Sequence, residues 1–189
     1  MDAKALYEQT VAGWTAAVSA VPPGAWERTT PCSDWSVRDL VNHVVGEDLW
    51  TVPLVEGRTI AEVGSRFDGE VLGDDPVSTA LGAAEQAVKA VSQQAPQRAI
   101  VHLSYGDESL EEYLRQLAAD HLIHGWDLAV ATDGDATLDP EHVAAISQWF
   151  ADREDMYRAA GVIGSRAPSS GDASSDLLAA FGRADPWRR

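Results

Sequence analysis

An all-α fold, a bundle of four long helices with one further helix and a tail packed outside it, is what this sequence of 189 residues predicts. Three observations carry the expectation. Apolar residues recur at helical spacing in four long stretches, proline and glycine punctuate the ends of those stretches, and only one short segment has strand character. The length suits one domain with a substantial tail, so residues 1–164 read as the bundle and 165–189 as an extension that docks on it.

The first helix spans about residues 3 to 20, with Leu6, Tyr7, Val11, Trp14, Ala17 and Val18 on one side of the wheel, and it stops at Val21-Pro22-Pro23-Gly24. Ser36-Val37-Arg38-Asp39 is close to a capping box and starts the second, whose apolar face is Val37, Leu40, Val41, Val44 and Val45 with His43 at its edge. Residues 53–75 show no sustained period and read as a long irregular connection able to form a lid. Asp75-Pro76 opens a third helix with the stripe Val77, Ala80, Leu81, Ala84, Val88 and Val91, ending before Pro96. Residues 99–106 form either one short strand or an extended connector. Ser109 caps the fourth helix, which runs to about Ala131. A fifth begins at Asp139-Pro140, with Val143, Ile146, Phe150 and Tyr157 on its stripe. Ser165 to Gly171 reads as a flexible link, and residues 176–183 as a short amphipathic turn that docks back on the body.

Charge narrows the function. Fourteen Lys and Arg against 30 Asp and Glu give a net −16, a field that repels phosphate backbones and anionic lipid, so neither nucleic acid nor a membrane is expected as a partner. No apolar run approaches the ~18 residues of a membrane span, and Met1-Asp2-Ala3-Lys4 lacks a secretory layout, which makes the expected location cytoplasmic. The single cysteine, Cys32, excludes an internal disulfide and a cysteine-rich zinc cluster, so any metal is held mostly by nitrogen and oxygen. Cys32 itself reads as a small half-buried residue with no activating neighbour in sequence. Nucleophile-elbow, phosphate-loop, dinucleotide and His-Glu-x-x-His motifs are all missing. The seven tryptophans, Trp14 and Trp126 among them, read as packing.

The chemistry concentrates in Ala119 to Ala129. Asp120 and His124, four residues apart, lie one above the other on a helix, and Asp127 falls on the same stripe, flanked by Leu117, Leu128 and Ile123 so that the polar groups face an interior or a cleft. Two imidazoles and a carboxylate around a divalent ion with an open position serve hydrolysis or thiol activation. His43 with Asp120 and His124 would supply such a set. His121 competes with Asp120, since about 100° of helix rotation separates the two. His102 is a surface or pocket residue, and His142 a solvent-exposed one in a first helical turn.

The segments Thr30 to His43, His124-Gly125-Trp126-Asp127-Leu128-Ala129 and Leu177 to Arg183 together resemble an actinobacterial family of metal-binding proteins. That family belongs to the superfamily of DinB-like proteins and the N-terminal domain of mycothiol-dependent maleylpyruvate isomerase. The resemblance implies a DinB-like four-helix bundle whose divalent ion, zinc or nickel, sits on His43, Asp120 and His124. It also implies that the ion activates a low-molecular-weight thiol such as mycothiol for transfer to, or isomerisation of, a small electrophile, with the loop after helix two shaping the pocket. The isomerase-like members carry glutamate where this chain has Asp120, one methylene shorter, which keeps His121 in play as the third ligand. The isomerase's extra C-terminal domain has no counterpart in the sequence, so that particular reaction is not implied. The alternative is a non-catalytic metal-binding sensor, carrier or stress-response protein, and paired bundle helices would allow a homodimer.

Overall fold

In the computed structural model residues 1–95 and 99–187 are described; Pro96, expected to end the third helix, lies outside them. In chain order the elements are α1 (Ala3–Ser19), α2 (Val37–Val55), α3 (Ile60–Val63), α4 (Pro76–Gln94), β1 (Ile100–Leu103), β2 (Gly106–Ser109), α5 (Leu110–Thr132), α6 (Pro140–Phe150), α7 (Glu154–Ala159) and α8 (Ala173–Ala180). The long helices begin where the sequence supplies a cap. Ser36 accepts from the Asp39 amide while Asp39 accepts from the Ser36 amide, and Asp75, Ser109 and Asp139 each accept from a first-turn amide of the helix that follows.

The fold is the all-α bundle. Within it α1 packs on α5 and α4, and α2 packs on α4 and α5, so helices consecutive in the chain, α1 with α2 and α4 with α5, face each other diagonally. Diagonal neighbours cannot be joined by tight turns, which accounts for the long connections from α1 to α2 and from α4 to α5. The core is built from the anticipated faces: Leu6, Tyr7, Trp14 and Val18 of α1 and Val37, Leu40, Val41, Val44 and Val45 of α2 are all buried. Each large side chain so placed contributes ~1.5–3 kcal/mol relative to exposure.

Four expectations need correction. The α4 stripe is narrower and smaller than predicted: Ala80, Ala83, Ala84, Ala87, Ala90 and Val91 are buried, while Leu81 is 38% exposed. Small side chains let α4 approach its neighbours closely, and the contact surface follows alanines rather than the bulkiest residues. The short strand has a partner, because Gly106–Ser109 pairs antiparallel with Ile100–Leu103, in register from Ile100↔Ser109 to Leu103↔Gly106. Residues 53–75 form no lid. Pro53 stays within α2, Thr59 and Glu62 close a capping box on α3, and residues 69–73 are fastened to α2: Asn42 donates to the Gly69 carbonyl and accepts from the Val71 amide, and Arg38 pairs with Glu70. Finally, the fifth helix breaks after Phe150. Arg153 turns back to the Trp149 carbonyl and pairs with Glu112 of α5, and the chain restarts as α7 carrying Tyr157.

The C-terminal segment does return to the body. Phe181 stacks on Phe150 of α6 with centroids 4.1 Å apart, Leu177 and Leu178 are buried, and residues 167–170 run beside α8, where the Ala167 amide donates to the Ala179 carbonyl.

Candidate metal centre

His43 projects from the middle of α2 and Asp120 and His124 from successive turns of α5, and because α2 and α5 pack against each other the three side chains converge. His124 Nε2 lies 3.3 Å from Asp120 Oδ1, His43 Nε2 lies 3.6 Å from Asp120 Oδ2, and the two imidazole centroids are 5.1 Å apart. One donor atom from each falls within 4.8 Å of the others. Two donors on one tetrahedral ion, at ~2.0–2.1 Å each, sit ~3.3 Å apart, so the spacing suits a shared ion. Asp120 Oδ2 is also buried with no hydrogen-bond partner, an acceptor left over where a cation would sit. Two imidazoles and a carboxylate are a donor set for zinc or nickel. The shorter aspartate therefore reaches between both imidazoles.

His121 goes elsewhere. Its ring lies in the core with Nδ1 on the Leu117 carbonyl at 2.8 Å and Nε2 3.2 Å from Asp48, both side chains fully buried, and it meets Tyr7 and Trp14 edge-on. His102 bonds Asp107 across the hairpin and His142 bonds Gln9 on α1, and neither lines the cleft.

Behind His124 lies a brace that spacing only half disclosed. Asp127, fully buried, has Oδ2 3.0 Å from His124 Nδ1. Nδ1–H donating to that carboxylate leaves the Nε2 lone pair facing His43 and Asp120, the tautomer a ligand requires. Arg183 in turn grips Asp127, with Nη2 at 2.8 Å and Nε at 3.2 Å, and Nη2 is 3.2 Å from the Cys32 sulfur. The i+3 spacing of Asp127 from His124 was a signal for this role. Arg183, 56 residues from Asp127 in the chain, offered no spacing signal at all. Cys32, His124 and Asp127 also cluster tightly, but there the guanidinium already occupies the position a cation would need.

Electrostatics follow from this packing. Burial favours the neutral form of Asp120, yet His124 and His43 beside it outweigh that and hold its carboxyl well below the usual carboxylate range. For His124 burial opposes the charge, but the Asp120 carboxylate and the hydrogen bond to Asp127 overcome it and raise the imidazole well above its ordinary value. Asp127 is lowered against its own burial by His124 and Arg183. Glu47, one turn beyond His43, is pushed up by burial and then by Asp120.

His43, Glu47, Asp120 and His124 form the floor of a cleft of about 630 Å³. The loop before α2, Pro31 to Trp35, makes one wall, with the Trp35 ring 5.0 Å from His43 and 6.1 Å from His124. The loop after α2, the predicted wall, does not reach the cleft, because its bonds to the outer side of α2 hold it away.

Residues 7–129 match the family described as the mycothiol maleylpyruvate isomerase N-terminal domain. Two curated relatives, uncharacterised proteins from two strains of Mycobacterium tuberculosis (CDC 1551 / Oshkosh and ATCC 25618 / H37Rv), are each 36% identical over 120 residues, covering 59% of this chain and 57% of their own length. The chain thus spans just over half the length of those relatives. No solved structure matches it.

Proposed function

The chain belongs to the mycothiol maleylpyruvate isomerase N-terminal domain family, and from that premise we propose that it is a metal-dependent enzyme acting on a low-molecular-weight thiol of the mycothiol type and a small electrophile. His43 and His124, each through Nε2, and the Asp120 carboxylate hold one divalent ion, zinc or nickel. Such an ion, when bound, stabilises a thiolate at neutral pH by Lewis-acid action. The observation that supports the reading best is the convergence of these three donors from two helices, with Asp127 fixing the tautomer of His124 from behind.

The remaining residues orient and exclude. Asp127 and Arg183 keep His124 from rotating, Trp35 packs against the two imidazoles, and Glu47 lies beside Asp120 on the floor. In a transfer, the thiol proton leaves to solvent, sulfur forms the new bond to carbon, and the electrophile's leaving group departs with its electron pair. The loop before α2 and the chain beyond α6 line the cleft that both reactants would share.

The test is turnover by zinc-loaded and nickel-loaded protein with mycothiol and a panel of electrophiles, an aryl chloride and a carboxylated enone among them. Thioether formation that needs the metal, and that a His124→Ala variant loses, is the expected result. Stoichiometric metal with no thiol affinity would overturn catalysis and favour a carrier or sensor.

A further inference from the structure

The floor of the cleft comes from the family-matched residues, but its far wall does not. Trp149 of α6, Tyr157 of α7, Val162 and Ile163 beyond it, and Phe181 all line the cleft from residues past 129. The polar edge of Trp149 is already engaged: its Nε1 donates to Glu112, which Arg153 clamps from 2.7 Å, and the Arg153 guanidinium lies 5.2 Å over the indole ring. Tyr157 meets Phe150 and Trp149 edge-on, and Phe150 stacks on Phe181, so the wall is a fixed aromatic block. Val162, at the rim, is 65% exposed.

Beyond the floor the wall carries no charge. Among the described residues Arg183 is the only lysine or arginine lining the cleft, and it is turned to Asp127, to the Phe181 carbonyl and to the Cys32 sulfur.

We infer that the cleft selects a planar aromatic electrophile, seated against Trp149, Tyr157 and Val162, over an aliphatic one. The inference rests on the cleft being the substrate site of the reaction proposed above. An aromatic ligand gains edge or face contacts on this wall that an aliphatic one cannot make.

The test is equilibrium dialysis of the metal-loaded full chain, without thiol, against three uncharged probes: 1,3-dinitrobenzene, cyclohexanone and diethyl succinate. Dinitrobenzene is expected to bind at least ~tenfold more tightly than either aliphatic probe, the discrimination a shaped apolar pocket gives. Val162→Asp, at an exposed position that leaves the core intact, is expected to weaken dinitrobenzene binding at least ~fivefold by placing a charge on the wall. Tyr157→Ala serves as the second variant on the same block. Smaller discrimination, a preference for either aliphatic probe, or indifference to Val162→Asp overturns the inference. Because no thiol is present, the outcome is separate from turnover. Aromatic selectivity without thiol transfer removes the proposed reaction alone, and transfer to aliphatic electrophiles by preference removes this inference alone.

Discussion

Replacing Asp127 by asparagine separates the brace from the ligands it orients. The side chain keeps its shape, and its amide oxygen still accepts from His124 Nδ1, but the charge that holds Arg183 and polarises His124 is gone. Asp127 is fully buried and the Arg183 side chain only 15% exposed, so the pair is broken in a low-dielectric setting. Removing one partner of a buried pair costs ~3–5 kcal/mol, and the retained amide contacts put the expected value near ~3 kcal/mol. Loss of an outer-shell carboxylate weakens metal affinity ~10–100-fold, or ~1.4–2.7 kcal/mol. Urea unfolding of the metal-free protein reads the first effect, and competition with a chromogenic chelator reads the second. The sign with pH is fixed too. Asp127 is lowered in the folded protein, so its contribution is present above the unfolded value near ~3.9 and fades as pH falls through its folded value. The gap between wild type and Asp127→Asn is therefore constant from pH 7 to 5 and closes in stronger acid. Metal affinity within twofold of wild type would falsify the brace.

His124 and His121 are both raised in the folded chain, each against its burial, through Asp120 and Asp48 respectively, so their stabilisation is full below ~6.5 and is lost as pH rises through the folded values. The urea midpoint of the metal-free protein should fall as pH rises above ~6.5, and a flat or rising midpoint contradicts this. An incoming ion must displace the His124 proton, so calorimetry in buffers of different ionisation enthalpy should show proton release on binding and an affinity that rises with pH. Cys32→Ser should leave metal affinity unchanged within about twofold, since the sulfur lies on the Nδ1 side of His124; a tenfold loss would move the ion to the Cys32 side. His121→Leu should cost ~3–5 kcal/mol in urea unfolding by stranding Asp48 in the core, while the metal content per chain stays the same.

Much of the bundle was legible in the sequence because periodicity, caps and breakers act locally. The faces of α1 and α2 and the starts of α4, α5 and α6 follow from residues within a few positions of one another. What escaped was set at a distance. β2 is a run of Gly106, Asp107, Glu108 and Ser109, with no strand preference of its own, and it forms because β1 offers backbone partners across a tight turn. Leu81 was misplaced because periodicity marks where apolar residues recur, whereas the contact surface is chosen by how closely helices approach. The break after Phe150 depends on Arg153 pairing with Glu112, 41 residues before it in the chain. In the candidate site the i,i+4 pair of Asp120 and His124 was visible, and His43 stood out only in combination with that pair, which the resemblance strengthened. Arg183 and the aromatic far wall needed the folded chain, since nothing in their spacing ties them to α5.

The most direct measurement is the metal content of the purified chain beside that of a His43→Ala, His124→Ala double variant, by elemental analysis. One zinc or nickel per wild-type chain and none in the folded double variant is the predicted result. A wild-type chain that takes up no divalent ion, or a double variant that keeps it, contradicts the assignment of His43, Asp120 and His124 as its ligands.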